Sequence, residues 1–188
     1  MAINTERSRF AKTAIFDGSC WAAVHLLLLA GNKHAEKVQL GIHSSTMTVE
    51  VAIAMLQQEG LWLLQLRDEN PRIVAPGCWG LFGGHLEPGE TALIALRREL
   101  HEEINWCPDQ LKIWFRHQDD QRIVHVFTGE LSVPLQQLQL REGQDMTLAT
   151  PEQIRCGQLW SSKLNQERPL ASALSMLVEK LDEITQAD

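Results

Sequence analysis

None of the four cysteines, Cys20, Cys78, Cys107 and Cys156, stands in a CxxC pair or at a zinc-ligand spacing. Thiols scattered in this way argue against both structural zinc and a disulfide framework, and fit a reducing cytoplasm. Positive charge is also in short supply: 17 Lys and Arg face 24 Asp and Glu, a formal charge of −7. Such a chain does not bind nucleic acid polymers through a basic surface, and an acidic protein that handles phosphates needs metal ions. No apolar run is long enough to cross a bilayer. The longest, "CWAAVHLLLLAG" at residues 20–31, is interrupted by His25 and falls short of the roughly 20 residues a spanning helix needs. Its "LLLLAGNK" end offers no convincing small-x-small cleavage site. Internal repeats and low-complexity tracts are absent as well. With 44% hydrophobic and 22% charged residues over 188 positions, what remains is the composition of one globular domain and a short appendage. The expected partner is a small molecule rather than a membrane or a nucleic acid polymer, and the expected state is a monomer or homodimer.

Residues 1–46 carry five basic and three acidic side chains, so the net negative charge belongs to the remainder. We read them as an N-terminal extension and residues 47–188 as the functional domain. Deleting 1–46 is expected to leave a soluble, folded and active protein. Aggregation, or a thermal midpoint lower by many degrees, would instead make the apolar "WAAVHLLLL" segment an integral part of the fold.

From Met47 the pattern becomes regular. "MTVEVAIAML" and "LWLLQLRD" are strands joined by "QQEG", and "ENPRIVAPG" is a loop before a short strand, "CWGLF". A helix is predicted from Thr91 to Ile104, ending at Asn105 with Pro108 just beyond. "QLKIWFRHQ" and "RIVHVFTGEL" are two further strands and "DMTLAT" a short one. Leu170, Leu174, Leu177 and Leu181 stand at helical spacing, predicting an amphipathic helix over residues 169–186. The expected fold class is α/β, a mixed β-sheet between helices.

On the first helix Leu93, Leu96, Leu100 and Ile104 form the stripe expected to face the core, and Glu99, Glu102 and Glu103 share a neighbouring face. Carboxylates at i, i+3 and i+4 repel one another by a few tenths of a kcal/mol per pair, so something should offset them. A solvated face neutralised by Arg97 and Arg98 is one answer. The other comes from the loop directly before the helix, Gly83-Gly84, where backbone carbonyls can approach and converge with the carboxylates on a hard cation such as Mg²⁺.

The segment 83–106 resembles the Nudix hydrolases, whose signature is G-x5-E-x7-R-E-U-x-E-E-x-G-U with U a bulky apolar residue. Gly84, Glu90, Arg98, Glu99, Leu100, Glu102, Glu103 and Trp106 match it. Asn105 replaces the second glycine, and Asn is the usual substitute for Gly in a left-handed helix cap. The resemblance runs from Met47 to about Asp188 and implies a Nudix-type α/β/α sandwich. "REGQD" at 141–145 is similar to an "EGQ" segment of the mutator-type (MutT) nucleoside triphosphate pyrophosphohydrolases. By these resemblances Gly83 (through its carbonyl), Glu99, Glu102, Glu103 and Glu142 hold Mg²⁺, with Mn²⁺ able to substitute. Arg98 orients the carboxylates, Glu90 anchors the loop to the helix, and Glu99, with Glu142 second, is the candidate general base.

Arg67, His85 and Trp79 are the candidate substrate contacts: His85 follows Gly84 and can touch phosphate, and an indole can stack on a nucleobase. Phe82 and Trp160 could stack in the same way, although aromatics in such places more often fill the core. His101, His117 and His125 read as surface or structural residues. The implied activity is Mg²⁺-dependent cleavage of the pyrophosphate bond in a nucleoside diphosphate linked to another moiety, with a MutT-like (d)NTP first. ADP-ribose, a dinucleotide or a nucleotide sugar follows. The reading from another class is a non-catalytic Nudix-fold binding module, which commonly lacks box glutamates that this chain retains.

Overall fold

The computed structural model describes residues 48–119 and 122–185, with side chains up to 180. The extension expected at 1–46 lies outside the described residues. The first two elements are β1 (Val49–Gln58) and β2 (Leu61–Leu66). The turn is tighter than "QQEG" suggested, because Gln57 and Gln58 stay in the strand. Glu59 (φ 53) and Gly60 (φ 78) make the reversal alone, both at the positive φ that a two-residue hairpin turn favours.

The hairpin is short-lived, since only Gln57↔Trp62 and Gln58↔Leu61 pair before the strands part. The expected single strand "CWGLF" is therefore two. β3 (Trp79–Gly80) pairs with β2, and β4 (Phe82–His85) pairs with β1, with the change of partner at Leu81. Next come α1 (Ala92–Ile104), β5 (Leu111–Gln118), β6 (Arg122–Glu130) and β7 (Asp145–Ala149). β6 pairs in parallel with β1 over nine positions, and the other ladders are antiparallel. The resulting seven-stranded mixed sheet follows the path β3-β2-β1-β6-β5, with β4 also on β1 and β7 also on β2.

Side chains alternate across each strand, so the sheet has two apolar faces. Ala52, Ala54, Leu56, Leu63, Phe82 and Phe127 meet Leu96, Leu100 and Ile104 of α1 on one face. Met55, Trp62, Leu64, Leu66, Trp79 and Val126 form the other. That second face is closed by Ile154 of α2 (Pro151–Arg155) and by Leu174, Leu177 and Val178 of α3 (Ser172–Thr185). The protein is an α/β/α sandwich.

Three elements depart from the sequence reading. The terminal helix starts at Ser172, not residue 169, because Leu170 is held outside it: its N–H donates to the Gly157 carbonyl and it bridges Trp79. The one-turn helix α2 was not foreseen, although Thr150, Pro151 and Gln153 form a complete capping box with proline at the helix start. Nor was the hairpin of β8 (Gln158–Ser161) and β9 (Gln166–Pro169). Buried Asp145 tethers it to β7 by accepting from Ser161 Oγ at 2.7 Å and the Lys163 N–H at 3.2 Å.

Candidate active site

Helix α1 is capped at both ends by its own sequence. Thr91 Oγ1 accepts the Ile94 N–H at 3.3 Å, and Asn105 takes the left-handed conformation (φ 53) while its N–H donates to the His101 carbonyl. Its apolar stripe differs from expectation at Leu93, which is 37% exposed. Ala95 is buried in addition to Leu96, Leu100 and Ile104, and so is Glu103. The buried face is thus centred nearer to Glu103 than the leucines alone implied, and a carboxylate faces inward.

Glu103 is only 5% exposed, and both of its oxygens are held. Oε2 accepts the Gly83 N–H at 2.8 Å, and Oε1 accepts Gln65 Nε2 at 3.0 Å. Gly83 has φ 127, and a Cβ there would overlap the Ala52 carbonyl oxygen across the β1–β4 ladder, so the position requires glycine. Gly84 has a different reason: a Cβ there would occupy the space of the Glu99 carboxylate.

Arg98 organises the solvent side of the cluster. It forms a two-pronged pair with Glu90, at 3.0 Å on each oxygen, and reaches Glu99 Oε1 at 2.9 Å and Glu102 Oε2 at 3.2 Å. Its Nη2 also donates to the His85 carbonyl. Glu90 Oε2 in turn accepts the Glu87 N–H, so one guanidinium joins the "EPGE" turn, the end of β4 and the carboxylates of α1. Hydrogen bonds from Arg98 hold the Glu90 carboxyl below the ordinary range.

Burial does the reverse within the cluster. It pushes Glu103 up to about 7 against the bonds from Gly83 and Gln65, and the charges of Glu99 and Glu142 add to the rise. Burial also raises Glu99, opposed by Arg98 and assisted by the charges of Glu102 and Glu142. Glu142 is 39 residues from Glu103 along the chain, yet close enough for its charge to act on both carboxylates. It arrives on a loop that caps α1: the Gln139 and Arg141 N–H groups donate to the Ile104 and Glu103 carbonyls at 3.1 and 2.8 Å.

The structure thus brings together Gly83, Arg98, Glu99, Glu102, Glu103 and Glu142. It separates Trp79 from them. Trp79 is fully buried on the opposite face of the sheet, and its indole N–H donates to the Leu159 carbonyl at 3.0 Å. Its expected role in substrate stacking is therefore corrected: strand parity points it toward α3, and no ligand on the α1 side can reach the ring. Trp79→Phe should lower the thermal midpoint and leave the KM for substrate unchanged; a raised KM at unaltered stability would return Trp79 to the site. Phe82 is likewise fully buried. His85 is exposed beside Gly84. Arg67 is half-buried at the end of β2, with Nε donating to the Val74 carbonyl at 2.8 Å. His101 and His117 are exposed, and His125 pairs with Glu50 at 2.9 Å.

Among the described residues no three His, Cys, Asp or Glu side chains already stand close enough to hold a metal ion. The physical reason is visible: Arg98 draws Glu99 and Glu102 outward while Gly83 and Gln65 hold Glu103 inward. The donor set nevertheless fits a hard divalent cation. All of its members are oxygens, and the missing Cβ of Gly84 lets the Glu99 carboxylate lie directly against the glycine loop. The charges of Glu102 and Glu142 act on Glu99 and those of Glu99 and Glu142 on Glu103, while one guanidinium engages Glu90, Glu99 and Glu102.

An α/β/α sandwich that presents a glycine loop and a glutamate-rich helix on one face of its sheet has an architecture of the Nudix kind. The NUDIX domain profile matches residues 46–171, and the chain belongs to that family. It is similar to nucleoside triphosphatase NudI of Enterobacter sp. (strain 638), 44% identical over 54 residues. That match covers 29% of this chain and 38% of the relative, so well under two thirds of the curated relative is spanned. Among solved structures, the E. coli ORF135 protein is 26% identical with a TM-score of 0.53, covering 78% of this chain and 97% of that one. The MutT NUDIX hydrolase from Burkholderia pseudomallei, 18% identical, has the same fold at a TM-score of 0.53 over 70% of this chain and 96% of its own.

Sequence reasoning missed Gln65. The one signal was a polar residue inside the apolar run "LWLLQL", at a strand position facing α1.

Proposed function

We propose that this protein hydrolyses nucleoside triphosphates in a MutT-like manner, splitting the chain of phosphates with the help of Mg²⁺ or Mn²⁺. The observation that carries this reading is the convergence of Glu99, Glu103 and Glu142 from two distant segments beside Gly83 and Gly84. The description of the NudI relative as a nucleoside triphosphatase supports the choice of substrate.

Glu99, Glu102, Glu103 and Glu142, with the Gly83 carbonyl, would hold the cation, which when bound neutralises phosphate charge and makes water more nucleophilic. The residues themselves do the rest. Arg98 keeps Glu99 and Glu102 oriented, and its pair with Glu90 keeps the glycine loop seated against α1. Glu99, whose carboxyl burial already raises, accepts the proton as the water oxygen forms its bond to phosphorus. The bridging P–O bond then breaks and its electron pair leaves with the departing phosphate group. His85, exposed beside Gly84, and Arg67, half-buried at the end of β2, are the residues we assign to contacts with phosphate and nucleoside.

The test is the full chain with Mg²⁺ and a panel of nucleoside triphosphates, nucleotide sugars, dinucleotides and ADP-ribose, followed by product identification. A nucleoside monophosphate and pyrophosphate are expected from a triphosphate. Selective cleavage of another panel member would shift the substrate class, and binding without turnover would favour a ligand-binding module.

A further inference from the structure

We propose that Gln65 is a positioning residue that sets the spacing between Glu103 and Glu142 and thereby the affinity of the site for a divalent cation. The inference rests on the cation-site reading above and deepens it. Strand parity puts Gln65 on the α1 face of β2, next to Leu63, where an apolar residue would complete the core. It is instead an amide, only 2% exposed. Its Nε2 donates both to Glu103 Oε1 at 3.0 Å and to the Glu142 carbonyl at 3.2 Å. An amide nitrogen carries two hydrogens, so one side chain serves both acceptors at once.

The neighbourhood is built around this bridge. Gly143 has φ 87, and a Cβ there would stand 2.8 Å from the Leu66 carbonyl oxygen and 3.0 Å from Gln65 Cγ. Glycine thus lets the loop backbone lie directly on the Gln65 side chain. Gln144 pins the same loop to β2 from the other side, through N–H to the Leu66 carbonyl at 2.7 Å and Nε2 to the Arg67 carbonyl at 2.9 Å. Those bonds hold the loop to the sheet but do not touch a carboxylate. Gln65 contacts both the α1 carboxylate and the residue that brings in the second one. Outer-shell partners of this kind orient ligands, and their loss costs about 10–100-fold in metal affinity.

Gln65→Met keeps the length and volume of the side chain and removes both hydrogens. Mn²⁺ binding to the full chain without nucleotide, followed by water-proton relaxation, should show a dissociation constant raised about 10–100-fold. The Mg²⁺ concentration for half-maximal turnover should rise in parallel, with kcat recovering at saturating Mg²⁺. A residue that merely fills the core would lower the thermal midpoint in chelator and leave the Mn²⁺ constant unchanged; that outcome overturns the proposal. If the Met variant does not fold, Gln65→Asn carries the test. It keeps the amide one methylene too short to reach both acceptors, and wild-type Mn²⁺ binding in it is equally fatal. Glu103→Gln separates the two levels of the argument. Weakened Mn²⁺ binding there, with none in the Gln65 variants, removes Gln65 alone, whereas unaltered binding in all of them removes the cation site.

Discussion

Glu103→Gln and Glu99→Gln are each expected to lower turnover with Mg²⁺ by roughly two orders of magnitude or more, the range for loss of a key base or electrostatic group. The two losses arise differently. Glu99 lies against Gly84 and one oxygen is held by Arg98, so the amide removes a charge beside the glycine loop. Glu103 faces inward and receives two donors, the Gly83 N–H and the Gln65 amide. A glutamine there can accept from only one of them and sets its own NH₂ against the other. Steady-state rates with product analysis check the first claim, and near-normal rates in both variants would return the acidic face of α1 to a solvated surface.

Glu103 also leaves a signature in the absence of metal. Its folded value of about 7 lies above the ordinary carboxyl value of 4.5, so between those pH values the folded protein holds a proton that the unfolded chain has released. The contribution of this group is fully present below 4.5 and is lost as pH rises through about 7. In chelator, wild type should therefore lose thermal stability between pH 5 and pH 8 more steeply than Glu103→Gln. Parallel curves for the two proteins would show that the carboxyl titrates in the ordinary range.

The second large effect is expected at the glycine pair. Gly83→Ala should destabilise the fold by about 3 kcal/mol or more, because an L-residue is strained at positive φ and the change also forces two strands apart. The new Cβ would overlap the Ala52 carbonyl oxygen and come within 2.8 Å of Ile53 Cα, all backbone atoms of the paired strand β1 that cannot move aside alone. Gly84→Ala differs. The atoms it meets belong to the Glu99 carboxylate, the far end of a flexible side chain, so the fold should survive while turnover falls about tenfold or more through misplacement of that group. Thermal unfolding and turnover on both variants check this. Equal stability of the two proteins would mean that β1 yields at Ala52 and that the loop is softer than its geometry implies.

The loop and helix of the site were legible along the chain because every relation in them is local. Thr91 and Asn105 mark the ends of α1, the 3.6-residue period places Leu96, Leu100 and Ile104 inward, and Gly84 to Glu103 spans one strand end and one helix. The strands β1, β2, β5, β6 and β7 were also readable, since each alternates or carries β-branched residues between turn signals. The capping box at Thr150 was present in the sequence and passed over. What the tertiary structure alone decided was which face and which neighbour each residue received. Trp79 turned to the α3 side because β3 pairs with β2 in a register that aligns it with Leu66, a core residue of that face. Glu142 reached the acidic helix because its loop caps the last carbonyls of α1, and Gln65 met Glu103 because β2 passes beneath that helix. Periodicity along a chain determines which residues share a face; only the pairing of segments far apart in sequence determines what that face meets.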